Sequence, residues 1–383
     1  MAFDPDFSRD RVSAWFRGNF SERGDLGAAV SVWQNGISVL ELQGGFRDAN
    51  RTHAWSADTL VLVWSATKGI ASACLLHALQ ENAIALDRTV AEFWPEFAQN
   101  GKASITLSEL ISHAAGLCAL DQPADVTDYD AVITALARQQ PLWSPGSSHG
   151  YHARTFGFLL DEILRRIAGV SLSEYWRRIF GEPLGLDFWI GLPAEMNARC
   201  ATIYAAKVGR PPEPAQFYRD LATPGTLQRR TFTSPHGLHA VSAMNKPQNR
   251  ALALPSFGGI GSATALGKFY AMLANGGGLE GKRFFSAATI ELMATTLSDG
   301  TDRVFEIPTA FSAGLMKNPT VPAPPIFGPS PRAFGHPGAG GSHALADPEN
   351  NLAFAYVMNQ MEQSLLPNEK SLGLIAALYS KPV

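Results

Sequence analysis

A serine followed three residues later by a lysine, Ser65-Ala66-Thr67-Lys68, occurs once in the 383 residues of this chain. Three apart on a helix, the two side chains lie on one face, one turn from each other. The short apolar run Val61 to Val63 precedes them. Beyond them, Ile70, Cys74 and Ala78 form one stripe and Ala71, Leu75 and Leu79 its neighbour, which predicts a mostly apolar, buried helix to about Glu81. At the start of such a helix, unpaired backbone N–H groups and the positive end of the helix dipole favour negative charge developing on Ser65. A buried Lys68 loses affinity for its proton, and a neutral amine is a base. Together these are the parts of an activated serine nucleophile. The plain alternative is an N-cap serine and a solvated lysine. It leaves an unpaired lysine at the start of a buried helix, which is costly.

Two further residues could join this chemistry. Tyr151 follows the Pro145-Gly146 loop and is expected to open a helix running to Ala168. A phenol beside a cationic lysine can act as a general acid or base, though a half-buried core tyrosine is the plain alternative. His336 lies in Gly335-His336-Pro337-Gly338-Ala339-Gly340-Gly341-Ser342. A Gly-rich strand edge lets a substrate approach the backbone, whose N–H groups can stabilise an oxyanion; a Gly-rich turn with a surface histidine is the alternative. Gly146-Ser147-Ser148-His149-Gly150 matches G-x-S-x-G, but that motif needs a strand leading into it. Gln140 to Pro145 do not read as a strand, so Ser148 is not expected to be the nucleophile. His149 and His152 are three apart and His113 stands alone, with no H-E-x-x-H or carboxylate cluster, so no metal is expected. No P-loop or dinucleotide fingerprint is present, so no cofactor is expected either.

The elements that must position these residues follow from pattern and composition. A hydrophobic content of 46% with 17% charge supports a sizeable core, in one large domain or two ordinary ones. A net charge of −3 with no basic run argues against nucleic acid or an anionic membrane as partner. Cys74, Cys118 and Cys200 have no metal or redox spacing and read as buried thiols in a reducing compartment. The first residues lack a basic and apolar leader, and no run of about 18 apolar residues exists, so a cytoplasmic protein without a membrane span is expected.

Phe7 to Phe20 reads as an amphipathic helix, and Ala28 to Trp33 and Ile37 to Leu42 as a hairpin turned at Asn35-Gly36. Short helices are expected over 87–98, 107–112, 129–139 and 172–179, with Gly116 as a helix stop. Tyr204 to Leu254 reads as one long loop, in which Phe217, Tyr218, Leu221, Leu227 and Phe232 either line a pocket or anchor the loop. A helix is expected from Ala263 to Asn275. Strands follow at 333–336, 342–346 and 351–358, and a closing helix at 372–379. Strands at both ends with helices between suggest an α+β chain of two domains: 1–86 with 255–383 around a sheet, and a helical domain over 87–254.

The order Ser65-x-x-Lys68, Tyr151, His336-Pro337-Gly338 resembles the serine β-lactamase and penicillin-binding-protein superfamily, in particular its class C-like esterases, the family VIII carboxylesterases. Leu110 to Leu117, Pro145-Gly146, Phe156-Gly157 through Gly169, Pro183 to Leu186 and Gly335 to Ser342 extend the likeness over most of the chain. The resemblance implies an antiparallel sheet flanked by helices, an all-helical domain, and a site between them. It implies that Ser65 forms an acyl-enzyme, that Lys68 and Tyr151 share proton transfer, and that the N–H groups of Ser65 and Ala339 form the oxyanion hole. His336, Gly338, Trp64 and His152 are expected to contact substrate.

The departures from the β-lactamase pattern bear on substrate. Where that pattern has Tyr-x-Asn and Lys-Thr-Gly or Lys-Ser-Gly, this chain has Tyr151-His152-Ala153 and His336-Pro337-Gly338. A β-lactam carboxylate would lose charge-assisted partners, while a neutral ester needs none. The expectation is a carboxylesterase for short- to medium-chain acyl esters, with no metal or cofactor and a small-molecule ester as its partner. A β-lactamase or DD-peptidase-like amidase, an acyltransferase and a non-catalytic binding module are the alternatives, and nothing in the sequence states an oligomeric state.

Overall fold

The computed structural model describes residues 5–207, 213–321, 323 and 325–380, with side chains from residue 9 onward. The hairpin forms where the Asn-Gly signal puts it. β1 (Gly27–Gln34) and β2 (Ile37–Gly45) are joined through Asn35 and Gly36, both at positive φ of 50° and 74°, which suits the right-handed twist of the flanking strands. On its other edge β1 pairs antiparallel with the strand Leu352–Met358, Ala28 opposite Met358. The two ends of the chain are thus neighbours in one sheet.

Among the described residues that sheet has eight strands, all antiparallel. Its order is β2, β1, Leu352–Met358, His343–Asp347, Phe334–Pro337, Met316–Lys317, Pro308–Phe311 and Ser298–Thr301. The last three short strands were not foreseen from the sequence. Their runs are two to four residues long, too short for a period-2 pattern to register. The helix Ala263–Ala274 packs on the sheet across Gly267, where a Cβ would come within 2.5 Å of Ser31 Oγ. Helix α1 (Pro5–Ser21) packs against the closing helix Glu369–Tyr379.

Helix α2 (Thr67–Glu81) is buried from Thr67 to Leu79, as its apolar stripes require. It packs against the helix Phe156–Ala168 and touches the strand Phe334–Pro337, joining the helical section to the sheet. A second, three-stranded sheet completes that junction: β3 (Val61–Leu62) pairs with β5 (Gly259–Gly261), which pairs with β4 (Phe188–Ile190) from the middle of the chain.

Several expectations need correction. The helix preceding Gly116 ends at Ile111, capped by Ser112; His113 takes positive φ (63°), and Gly116 (φ 73°) instead turns the chain tightly against Trp143. The long helix starts at Phe156, so Tyr151 does not open it. The reason is tertiary. Asp302 takes the backbone N–H of Tyr151, His113 takes that of His152, Lys68 takes the carbonyl of Ala153, and Ser256 Oγ takes both the Gly157 N–H and the Arg154 carbonyl. A helix from Tyr151 would pair the Ala153 and Arg154 carbonyls and the Gly157 N–H within itself, and all three are already used elsewhere. Among the described residues, the stretch expected as one long loop carries the short helices Ala215–Ala222, Leu227–Thr233 and Pro247–Arg250 and a 3-10 turn, Val241–Asn245, all too short between Pro and Gly breaks to show a clear period. Cys74 and Cys118 are buried free thiols, whereas Cys200 is only half-buried. Among the described residues, no helix is long and apolar enough to cross a membrane.

Candidate active site

Ser65 sits in a single 3-10 turn, Trp64–Ala66, between β3 and α2. The turn begins with Trp64 at positive φ (50°), an uncommon conformation for a bulky residue. β5 holds it in place. Val63 N–H donates to Gly259 O at 2.9 Å, and Thr67 Oγ1 accepts the Gly259 N–H at 2.8 Å while donating to Trp64 O. Ser65 is therefore half-buried at a rigid elbow whose next turn carries Lys68.

Lys68 is fully buried. Its Nζ donates to Ala153 O and to Ser256 O, both at 2.8 Å, and to Ser65 Oγ at 3.2 Å. No ion pair of the described residues includes it. Burial pushes its pKa well below the ordinary lysine range, and the charge of Arg154 pushes it further. A neutral amine has two N–H bonds and one lone pair. Once Nζ gives up the proton it directs at Ser65 and keeps its N–H bonds on the two carbonyls, its lone pair faces Ser65 Oγ.

Tyr151 is 3% exposed, its ring centroid 4.9 Å from Lys68 Nζ and 5.0 Å from the stacked ring of Phe305. Burial raises its phenol pKa; a hydrogen bond with the Ser65 hydroxyl works against that, and the Asp302 charge adds to it. The phenol is therefore neutral at ordinary pH. The buried Asp302 anchors this region, one carboxylate oxygen accepting from the N–H groups of Tyr151, Val304 and Phe305 at 3.2, 2.7 and 2.9 Å.

Ser65, Tyr151, His336, Pro337 and Ala339 line a small cavity. The apolar side chains of Phe232, Phe305, Met316, Leu365 and Leu366 complete its lining. The space left for water-sized molecules is about 20 Å³, room for roughly one water. Of the 204–254 residues that could either line a pocket or anchor the loop, Phe232 lies in the cavity lining, while Phe217 packs behind it, 5.9 Å between ring centroids. Phe305, Met316, Leu365 and Leu366 were not anticipated. The one available signal was Leu365-Leu366, an apolar pair in an otherwise polar loop.

The expected substrate contacts divide. His336 is in the wall. Its Nδ1–H donates to Pro337 O at 2.7 Å, and burial, then the Lys68 charge, pushes its pKa down to about 3, so the ring is neutral. Gly338 packs where a Cβ would sit 2.1 Å from Val63 O, bringing the Phe334–Pro337 strand against the Ser65 elbow. It does not line the cavity, nor does Trp64. His152 is corrected outright: it is fully buried, its Nε2 accepts from Leu117 N–H at 2.9 Å and its Nδ1–H donates to Gly150 O at 2.7 Å. Both ring nitrogens are spent inside the fold. His113, expected to stand alone, packs against His152, Tyr151, Phe156 and Phe311. Ser148 lies in a loop away from the cavity. Among the described residues, no group of three or more His, Cys, Asp or Glu side chains could hold a metal ion.

Comparison with known proteins places the chain. The model of the family described as Beta-lactamase matches residues 16–377. The Esterase/beta-lactamase LipL of Mycobacterium tuberculosis is 31% identical over 373 residues, covering 95% of this chain and 84% of that protein. Among solved structures, a novel penicillin-binding protein homolog from Caulobacter crescentus superposes with a TM-score of 0.86 at 34% identity, over 99% of this chain and 98% of the other. A family VIII carboxylesterase superposes with a TM-score of 0.85 at 33% identity, over the same shares.

Proposed function

The chain belongs to the Beta-lactamase family of serine hydrolases, and from that premise we propose that it is a carboxylesterase cleaving uncharged short- to medium-chain acyl esters through an acyl-enzyme at Ser65. Lys68 is the base. Held by the Ala153 and Ser256 carbonyls, its amine takes the Ser65 proton as Oγ forms a bond to the ester carbonyl carbon. The backbone N–H groups of Ser65 and Ala339 receive the oxyanion. Tyr151, a neutral phenol in contact with the Ser65 hydroxyl, relays the proton from Lys68 to the departing alkoxide. Attack by water on the acyl-enzyme then releases the acid and returns the proton to Ser65. The site falls between the two units proposed from the sequence, residues 1–86 with 255–383 and residues 87–254. β4 of the second unit pairs with β5 of the first, so the two units are joined across that boundary by a shared small sheet.

One observation carries the ester over a β-lactam. Among the described residues no lysine or arginine lines the cavity, and the one basic residue in its lining, His336, is a neutral imidazole. A carboxylate-bearing substrate would meet no cation there. The likeness to LipL and to the family VIII carboxylesterase agrees with this reading. The test is hydrolysis of p-nitrophenyl butyrate with nitrocefin in parallel. Wild type should cleave the ester much faster than nitrocefin, and Ser65→Ala should lose at least about 10³-fold. Ester hydrolysis surviving in Ser65→Ala overturns the nucleophile; nitrocefin as the much better substrate overturns the substrate class.

A further inference from the structure

Acylation uses every polar group in the cavity but one. His336 lines the cavity beside Ser65, Tyr151 and Ala339, and is 1% exposed. Its Nδ1 lies 2.7 Å from Pro337 O. A carbonyl can only accept, so Nδ1 carries the hydrogen, and in the neutral ring Nε2 is a bare acceptor. That Nε2 is buried and meets no protein donor among the described residues. The nearby Lys68 Nζ is directed elsewhere, at Ala153 O, Ser256 O and Ser65 Oγ. A buried acceptor left unpaired is costly. The remaining space, about 20 Å³, suits one water or the hydroxyl end of a small alcohol.

We propose that His336 Nε2 holds and aims the nucleophile of the second half-reaction, a water or a small alcohol, at the carbonyl carbon of acyl-Ser65. The proposal rests on the acyl-enzyme reading above and adds a residue for the step that reading leaves unassigned. If the nucleophile is water, one of its O–H groups is held by Nε2 and the other faces the Lys68–Tyr151 pair. As the water oxygen forms its bond to the acyl carbon, the second O–H proton passes to that pair. When the tetrahedral intermediate collapses, the carbon–Oγ bond breaks and Ser65 Oγ takes that proton back, leaving the free acid and the resting enzyme. An alcohol has one O–H, which first rests on Nε2 and swings to the Lys68–Tyr151 pair as the carbon–oxygen bond forms; the product is then an ester. His336 keeps its Nδ1 hydrogen throughout and acts by orientation. In so small a cavity, one fixed acceptor decides whether the single nucleophile points at the acyl carbon.

Pre-steady-state hydrolysis of p-nitrophenyl acetate separates the two half-reactions. In His336→Leu the burst of p-nitrophenol should keep its rate within about threefold, while steady turnover falls about 10- to 100-fold. kcat and KM should fall together, and acetyl-Ser65 should accumulate in the mass spectrum of the quenched protein. His336→Gln, whose amide oxygen reaches the Nε2 position, should restore most of the turnover. His336→Asn, whose oxygen falls short of it, should behave like His336→Leu and serves if the leucine variant fails to fold. Equal losses in burst and turnover, unchanged turnover, or no rescue by glutamine overturn the proposal. If wild type itself forms no acetyl-Ser65, the acyl-enzyme reading has failed, a result distinct from any of these.

Discussion

The carboxylate of Asp302 accepts the backbone N–H of Tyr151 at 3.2 Å, deep inside the protein. The same oxygen holds the N–H groups of Val304 and Phe305, so one buried side chain sets both the phenol beside Ser65 and the aromatic wall of the cavity. Removing it in Asp302→Ala leaves three buried amides unmet. The expected cost is about 2–4 kcal/mol, read as a shift in the urea midpoint. Activity on p-nitrophenyl butyrate should fall more steeply than in Thr309→Val, which removes only the hydroxyl donated to the other carboxylate oxygen.

Lys68 gives a pH signature of defined sign. Its folded pKa lies well below the ordinary lysine value, through burial first and the Arg154 charge second. If Lys68 is the proposed base, its active form is the neutral amine, so kcat/KM should rise as pH climbs through that lowered value and show no further rise at the ordinary lysine pKa. Between the two values the unfolded chain binds the extra proton, so stability also rises with pH across that window. Lys68→Met should abolish that part of the stability slope and cut turnover about 10²- to 10⁴-fold. Urea unfolding at several pH values and a pH–rate profile check both. A slope unchanged in Lys68→Met would contradict the assignment.

Acyl length should be set by the cavity's apolar side chains. Phe232 is half-buried and its ring lies 6.4 Å from that of Tyr151. Phe232→Ala removes wall without emptying the core. The ratio of kcat/KM for octanoyl to acetyl p-nitrophenyl esters should rise about 10-fold or more, the order expected when a hydrophobic pocket gains room for a few methylenes. An unchanged ratio would place the acyl chain elsewhere.

Much of this site is legible in the amino-acid sequence. The pairing of Ser65 with Lys68 is a matter of three residues across a 3-10 turn and the first turn of α2, and the apolar stripes from Ile70 to Leu79 announce that the helix is buried. Asn35-Gly36 announces the hairpin, and the runs near 334, 343 and 352 announce neighbouring strands, because alternation and turn chemistry are local properties. The helix expected at Tyr151 is misplaced because its backbone partners are not local. Asp302 lies 151 residues away, and local patterning carries no record of it.

What the sequence by itself determined is therefore the chemistry that short-range geometry encodes: a serine and a lysine one turn apart, at the head of a buried helix, in a chain with no metal or cofactor motif. Tertiary structure alone decided what that lysine is. Its two other acceptors, the carbonyls of Ala153 and Ser256, lie 85 and 188 residues along the chain, and they hold Nζ with its remaining direction on Ser65 Oγ. The same packing sealed His152 away by spending both its ring nitrogens, and left His336 with a bare nitrogen in the cavity wall. Local periodicity fixes which side chains share a helix face. Which buried polar groups find partners is settled only when distant segments pack, because each of those hydrogen bonds closes a long loop.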